Sequence, residues 1–335
     1  MVKVIFANFT SMKGTQPSSC SHPTEGRVSL PIVYCLFFLA SFVGNIFIFI
    51  TVFKKKTMRK PNNFFIVNMA VSDLVYSIMV FPGISTRLYF DNWLISGGLG
   101  GALCKLVPFF SSVSIYVSTQ SLVLIAVDRF GAVVFPLRSP LISLKMCRFF
   151  IPSTWIVAMI LQTPDLFQRK LVQHDPRRLA CAWELNETFE RLLSIKNYRF
   201  GLYIVFFYFP FILISILYII IILRLKSQKI PGEQSFSARE RSARERNVLK
   251  MSVAIVLVFL ICWIPLSIYW SLLLFSSNST MISSCGFKFF AFIAFLLVLA
   301  YGAINPWICF IFCGHYRQWL KNLFSCCLPR RPQGQ

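Results

Sequence analysis

Charge is scarce in this chain, and acidic charge is scarcest. Only 14% of its residues are Asp, Glu, Lys or Arg, where soluble domains carry about 25%, and Asp and Glu together number 12. With 56% hydrophobic residues and 36 phenylalanines, too little polar surface is left to cover a soluble fold of this size. Histidine is scarcer still. The three present, His22, His174 and His315, all fall outside the long apolar runs. An intramembrane hydrolase needs a Ser/His set or paired acids inside those runs. They hold a single acid, Asp73, and no histidine, so the enzyme reading is set aside. A transporter or channel is the other membrane class to weigh. Transporters commonly show two halves with matched broken helices, and no such repeat is visible. No secretory signal peptide is expected at the N-terminus, because the apolar core Val4–Phe9 is too short. The first apolar run is expected to act as the insertion signal.

What the chain does have is apolar length. The runs are Leu30–Phe53, Asn62–Thr86, Leu106–Val127, Phe149–Pro164, Phe200–Leu223, Met251–Phe275 and Phe289–Phe312. Each is long enough to span a bilayer or nearly so. A barrel strand would alternate with period two, and none of these does, so helices are the form that satisfies the backbone in lipid. From Cys104 to Arg129 alone, at about 1.5 Å per residue, a helix reaches roughly 37 Å. The net charge of +22 does not mark a nucleic-acid partner, because most of the excess sits in short links between runs. Lys54, Lys55, Lys56, Arg59 and Lys60 crowd the first link, which places it in the cytoplasm. The N-terminus is then outside and the links alternate. The sequons at Asn8, Asn186 and Asn278 all fall on predicted outer segments, as candidate glycosylation sites.

The predicted organisation is an outer segment 1–29, a helical bundle 30–312 and a cytoplasmic piece 313–335. The sequence from His315 to Phe324 alternates apolar and basic residues at helical spacing, so a short amphipathic helix should lie on the inner leaflet lipids. Cys326 and Cys327 follow as palmitoylation candidates. Within the runs, Asn45 and Asn68 are costly in lipid unless partnered; a helix-packing hydrogen bond explains Asn45 as well as any ligand role. Asp73 must be neutral, paired or solvated by an ion and water. Pro265 and Pro306 bend their helices, and Trp263 sits about half a turn before the first bend. The Glu/Arg spacing of the repeat Ser237–Arg241 and Ser242–Arg246 suits a helix continuing into the sixth run. Four outer cysteines, Cys20, Cys104, Cys181 and Cys285, allow three pairings.

Seven runs carrying Gly44-Asn45, Asn68 with Asp73, Trp93, Cys104, Asp128-Arg129-Phe130, Pro136, Trp155, Cys181, Pro210, Tyr218, Phe259-Cys262-Trp263-Pro265 and Asn305-Pro306 resemble the rhodopsin-like (class A) G-protein-coupled receptors. The resemblance covers residues 30 to about 327, with the marks falling in order along the runs. It implies an all-α membrane protein, a seven-transmembrane bundle with a short amphipathic helix after the seventh span. It implies that Asp128, Arg129 and Phe130 form the cytoplasmic switch, with Tyr218 as a partner and Glu245 at the position that restrains Arg129 at rest. Phe259, Trp263, Pro265, Asn305, Pro306 and Cys309 match the activation core, although Cys309 stands where most relatives have Tyr. Asp73, Ser118 and Asn305 match an allosteric sodium pocket, where Tyr301 replaces a frequent Asn. Thr119 stands where an aliphatic residue is usual. The resemblance selects Cys104–Cys181 as one disulfide and leaves Cys20–Cys285 as the other. Beyond sodium it implies no metal and no cofactor.

The ligand class is narrowed by absences. Ser111 occupies the position where amine receptors of the family carry Asp, and the seventh span contains no lysine for a retinal Schiff base. The outer mouth carries Arg87, Trp93, Lys105, Glu184, Arg199 and Lys288 and a long charged link from Asp165 to Arg199. That mouth resembles the neuropeptide receptors. The function expected is a plasma-membrane receptor that binds an extracellular peptide and activates a heterotrimeric G protein, with a small acid or lipid ligand as the alternative.

Overall fold

The computed structural model describes residues 26–90, 93–136, 140–175, 178–183, 195–227, 236–275, 279–314 and 316–318. For 26–31, 84–90, 174–175, 178, 183, 195–196, 236–245, 274, 279 and 283 it describes the backbone only. Asn8, Cys20, Glu184, Asn186, Asn278, Cys326 and Cys327 lie outside the described residues, as do the side chains of Arg87 and Glu245.

Among the described residues, seven helices are long and apolar enough to cross a membrane. They are α1 (Gly26–Lys54), α2 (Pro61–Phe90), α3 (Gly97–Val134), α4 (Leu144–Phe167), α5, α6 (Phe236–Phe275) and α7 (Cys285–Phe312). Helix α5 is built from Ile195–Tyr203, a π-helical stretch Ile204–Tyr208 and Phe209–Ser227. The chain is thus a multi-pass membrane protein with an all-α bundle. Each helix satisfies its own backbone, which is the condition lipid imposes. Large apolar side chains such as Phe149, Ile160, Phe209 and Ile261 are exposed on the outer faces, where acyl chains rather than water cover them.

Neighbours pack in the order α1–α2–α3, with α4 and α5 on the far side of α3, and α6 and α7 closing back onto α1. Helix α3 is the centre of the bundle, touching α2, α4, α5 and α6. At one point α1 and α7 nearly touch: a Cβ on Gly44 would lie 2.7 Å from the ring of Pro306. Only glycine allows that approach.

Polar side chains inside the bundle are used as staples. The Asn45 amide donates to the carbonyls of Ser41 at 2.8 Å and Gly302 at 3.1 Å, joining α1 to α7. Asn68 donates to Ser121 and Thr154 and accepts from the Trp155 indole, so α2, α3 and α4 meet on one side chain. Ser41 bonds Ser77, and Ser72 bonds Ser118, at 2.9 and 2.8 Å. Such bonds replace the hydrophobic drive that lipid removes between helices.

The long outer link folds back on itself as an antiparallel hairpin, β1 (Arg169–Asp175) with β2 (Arg178–Trp183), Leu171 facing Cys181. Cys181 is bonded to Cys104 at the outer end of α3, with their Cα atoms 5.5 Å apart. At the inner end α7 stops at Phe312, and the amides of Tyr316 and Arg317 bond back to the Cys313 carbonyl as the next helical turn begins.

Candidate functional site

At the cytoplasmic end of α3, Asp128 is buried and the Arg129 guanidinium folds back onto its carboxylate. Consecutive residues of a helix point about 100° apart, so this contact bends the Arg129 side chain along its own helix. Its Nε is buried without a hydrogen bond. Phe130 is half-buried and meets Phe135 edge-on at 5.9 Å. From α5, the buried Tyr218 hydroxyl stands beside Ser252 and Arg129 and forms no well-made hydrogen bond. Glu245 lies on α6, as the continuous helix from Phe236 shows.

Halfway through the bundle, Phe259 is fully buried. It packs against Phe211 at 5.3 Å, Trp263 at 5.6 Å and Tyr301 at 5.1 Å. Pro265 lies in α6 just outside this cluster and Pro306 in α7 just inside it. The Trp263 indole N–H is buried without a protein acceptor. Thr119 closes its hydroxyl on the Ile115 carbonyl at 3.0 Å, which removes its polarity from the surroundings. Cys309 is a fully buried free thiol. Tyr316 tucks in beneath α7 and meets Phe310 at 6.2 Å. Burial pushes the Tyr316 phenol well above its ordinary range.

Asp73 is the one acid of the bundle's midsection. Asn305 donates to one of its oxygens at 3.0 Å and Ser118 to the other at 3.1 Å. Both partners come from other helices, so a single carboxylate joins α2, α3 and α7. Among the described residues no group of three or more His, Cys, Asp or Glu could hold a metal. The sodium pocket the resemblance implies does not fit these side chains. Both Asp73 oxygens already accept hydrogen bonds, and Asn305 turns its nitrogen, not its oxygen, toward them.

In the outer half, Arg199 reaches Asp165 at 2.7 Å and Gln168 at 3.1 Å, fastening α5 to the end of α4. Arg169 lies 3.6 Å from the same carboxylate. The Ser111 hydroxyl donates to Val107 of its own helix. Trp93 is half-buried and its amide bonds the Leu179 carbonyl of β2, so it supports the hairpin. Lys105 is exposed and Lys288 half-buried. Cys285 is disulfide-bonded. Sequence reasoning did not identify Asp165 or Gln168 at this site. Arg199 lies 34 residues from Asp165 and 31 from Gln168, so no local pattern marks either contact.

The 7 transmembrane receptor (rhodopsin family) model matches residues 44–308. The chain is 31% identical to a QRFP-like peptide receptor of Branchiostoma floridae over 70% of this chain and 61% of that receptor, less than two thirds of its length. It is 28% identical to bombesin receptor subtype-3 of Ovis aries over 92% of this chain and 77% of that protein. It is 25% identical to the Substance-P receptor of Homo sapiens over 95% of this chain and 76% of that protein. A helical bundle with these staples, and a family match running from the Gly44 contact to Ile308 within α7, together place the chain in the rhodopsin family of seven-transmembrane receptors.

Proposed function

We propose that the chain is a plasma-membrane receptor, N-terminus outside and C-terminus cytoplasmic, that binds an extracellular peptide and activates a heterotrimeric G protein by rearranging its helices. The observation that carries this reading is the packed aromatic cluster of Trp263, Phe259 and Tyr301 between two prolines. It lies between the outer mouth and the Asp128–Arg129 pair. A ligand that turns the outer half of α6 or α7 displaces aromatics that are already close-packed, and packed cores respond by switching rather than yielding smoothly. The relatives support a peptide as the ligand, since those reported above are receptors named for peptides.

On this reading Arg87, Trp93, Lys105, Ser111, Glu184, Arg199 and Lys288 surround the entry. Arg199 serves through its anchorage to Asp165. Glu245 restrains Arg129 at rest. A second disulfide joins Cys20 to Cys285, Asn8, Asn186 and Asn278 carry glycans, and Cys326 and Cys327 are palmitoylated. No step of the activation runs through sodium.

The test is a peptide-library screen on cells expressing the chain with a promiscuous G protein. A saturable response, absent from mock cells and lost in Arg129→Ala at equal surface level, is expected. Silence toward peptides with a saturable response to lipids or small acids overturns the peptide assignment.

A further inference from the structure

Tyr301 stands where the sodium pocket of the family would lie, and it is fully embedded. Its hydroxyl donates to the Met69 sulfur on α2 at 3.5 Å and stands beside Asp73, Ser118 and Asn305. Its ring meets Phe259 and Trp263 of α6 edge-on, at 5.1 and 6.2 Å. One side chain from α7 therefore touches α2, α3 and α6 at a single depth. The cavity left between Asp73, Ser118, Trp263 and Tyr301 is about 10 Å³, room for about one water centre.

A hard cation needs several oxygens around it at once. Ser118 and Asn305 direct hydrogens at Asp73, and Ser114 donates its hydroxyl to the Phe110 carbonyl. Gly302, the next residue of α7, has no side chain to offer, and a Cβ there would lie 3.9 Å from that of Asp73. The volume is filled by a phenol, and the carboxylate is satisfied by neutral donors.

We propose that Tyr301 is a resident plug that takes the place of the ion, so that the resting state of this receptor is held by side chains alone and is indifferent to sodium. The proposal is independent of what ligand the receptor binds.

The test is the melting temperature of the purified full-length chain in detergent, with no ligand, titrated with NaCl against N-methyl-D-glucamine chloride at matched ionic strength. Anything that binds the native state alone raises that temperature by mass action. The wild-type curves in the two salts should coincide. Tyr301→Asn and, as a second opening variant, Tyr301→Ser should each gain a saturable, sodium-specific rise. Asp73→Asn added to either should abolish that rise. Tyr301→Phe keeps the ring and should stay flat. A saturable sodium-specific rise in the wild type overturns the proposal. So does a flat response in every opening variant that folds, because the phenol is then not what excludes the ion.

Discussion

The indole Nε1 of Trp155 donates to the side-chain oxygen of Asn68, 2.9 Å away, and so ties α4 to α2. The same asparagine donates to Ser121 and Thr154. Trp155→Phe keeps the ring but strands the Asn68 oxygen. A loss of about 0.6–1.7 kcal/mol is expected, the range for side-chain bonds inside membrane bundles. A thermal double-mutant cycle with Asn68→Leu measures it. Additive single and double variants would show that the bond carries no coupling.

The Asp128–Arg129 contact is expected to weigh on the resting state. Asp128→Asn removes the charge and frees the guanidinium, so ligand-free signalling should rise several-fold at equal surface level. If Glu245 restrains Arg129 at rest as proposed, Glu245→Ala should raise it as well, because removing one partner destabilises the resting state. Basal activity unchanged in both variants would leave Arg129 without a lock.

Cys309 is too short to bridge to Tyr218, and a thiol is a weak hydrogen-bond partner. Cys309→Tyr should restore a bridge worth about 0.5–1.5 kcal/mol in the active state. That is a shift of up to about tenfold toward signalling. The effect should vanish in a Tyr218→Phe background. A gain that survives Tyr218→Phe has another origin.

Arg199 and Asp165 bridge α4 and α5 at the outer end. Arg199→Ala and Asp165→Ala should each lower thermal stability, because each strands a desolvated partner. The double variant should lose less than the sum. If the losses simply add, the two side chains act apart.

Much of this bundle was legible from apolar length alone, because lipid permits only one backbone solution. The ends were less so. Helix α3 starts at Gly97, well before Leu106, since a helix does not stop where hydrophobicity does; the start of α6 at Phe236 was legible only from the Glu/Arg spacing of the Ser237–Arg246 repeat. The packing role of Asn45 could be anticipated because an amide in lipid has to find a partner. The serine staples could not. Ser72 and Ser121 also bond their own helices at 2.7 Å, so nothing in the sequence distinguishes a cross-helix hydroxyl from one turned inward on its turn. The hairpin was not legible because neither strand, Arg169–Asp175 or Arg178–Trp183, alternates apolar and polar residues, and Arg199 could be read as mouth charge but not as the strut of Asp165.

The π-helical stretch Ile204–Tyr208 acts like an inserted letter in a reading frame. A π turn accommodates one residue more than a regular turn, and one residue is about 100° of rotation. Everything in α5 outside it, Arg199 included, is set in one angular phase, and everything inside it, Pro210 and Tyr218 included, in another. Winding the same residues as regular α-helix through that stretch would leave the inner half of α5 facing the bundle as before. The outer half would turn by about a quarter of a circle, swinging Arg199 away from Asp165 without altering either residue.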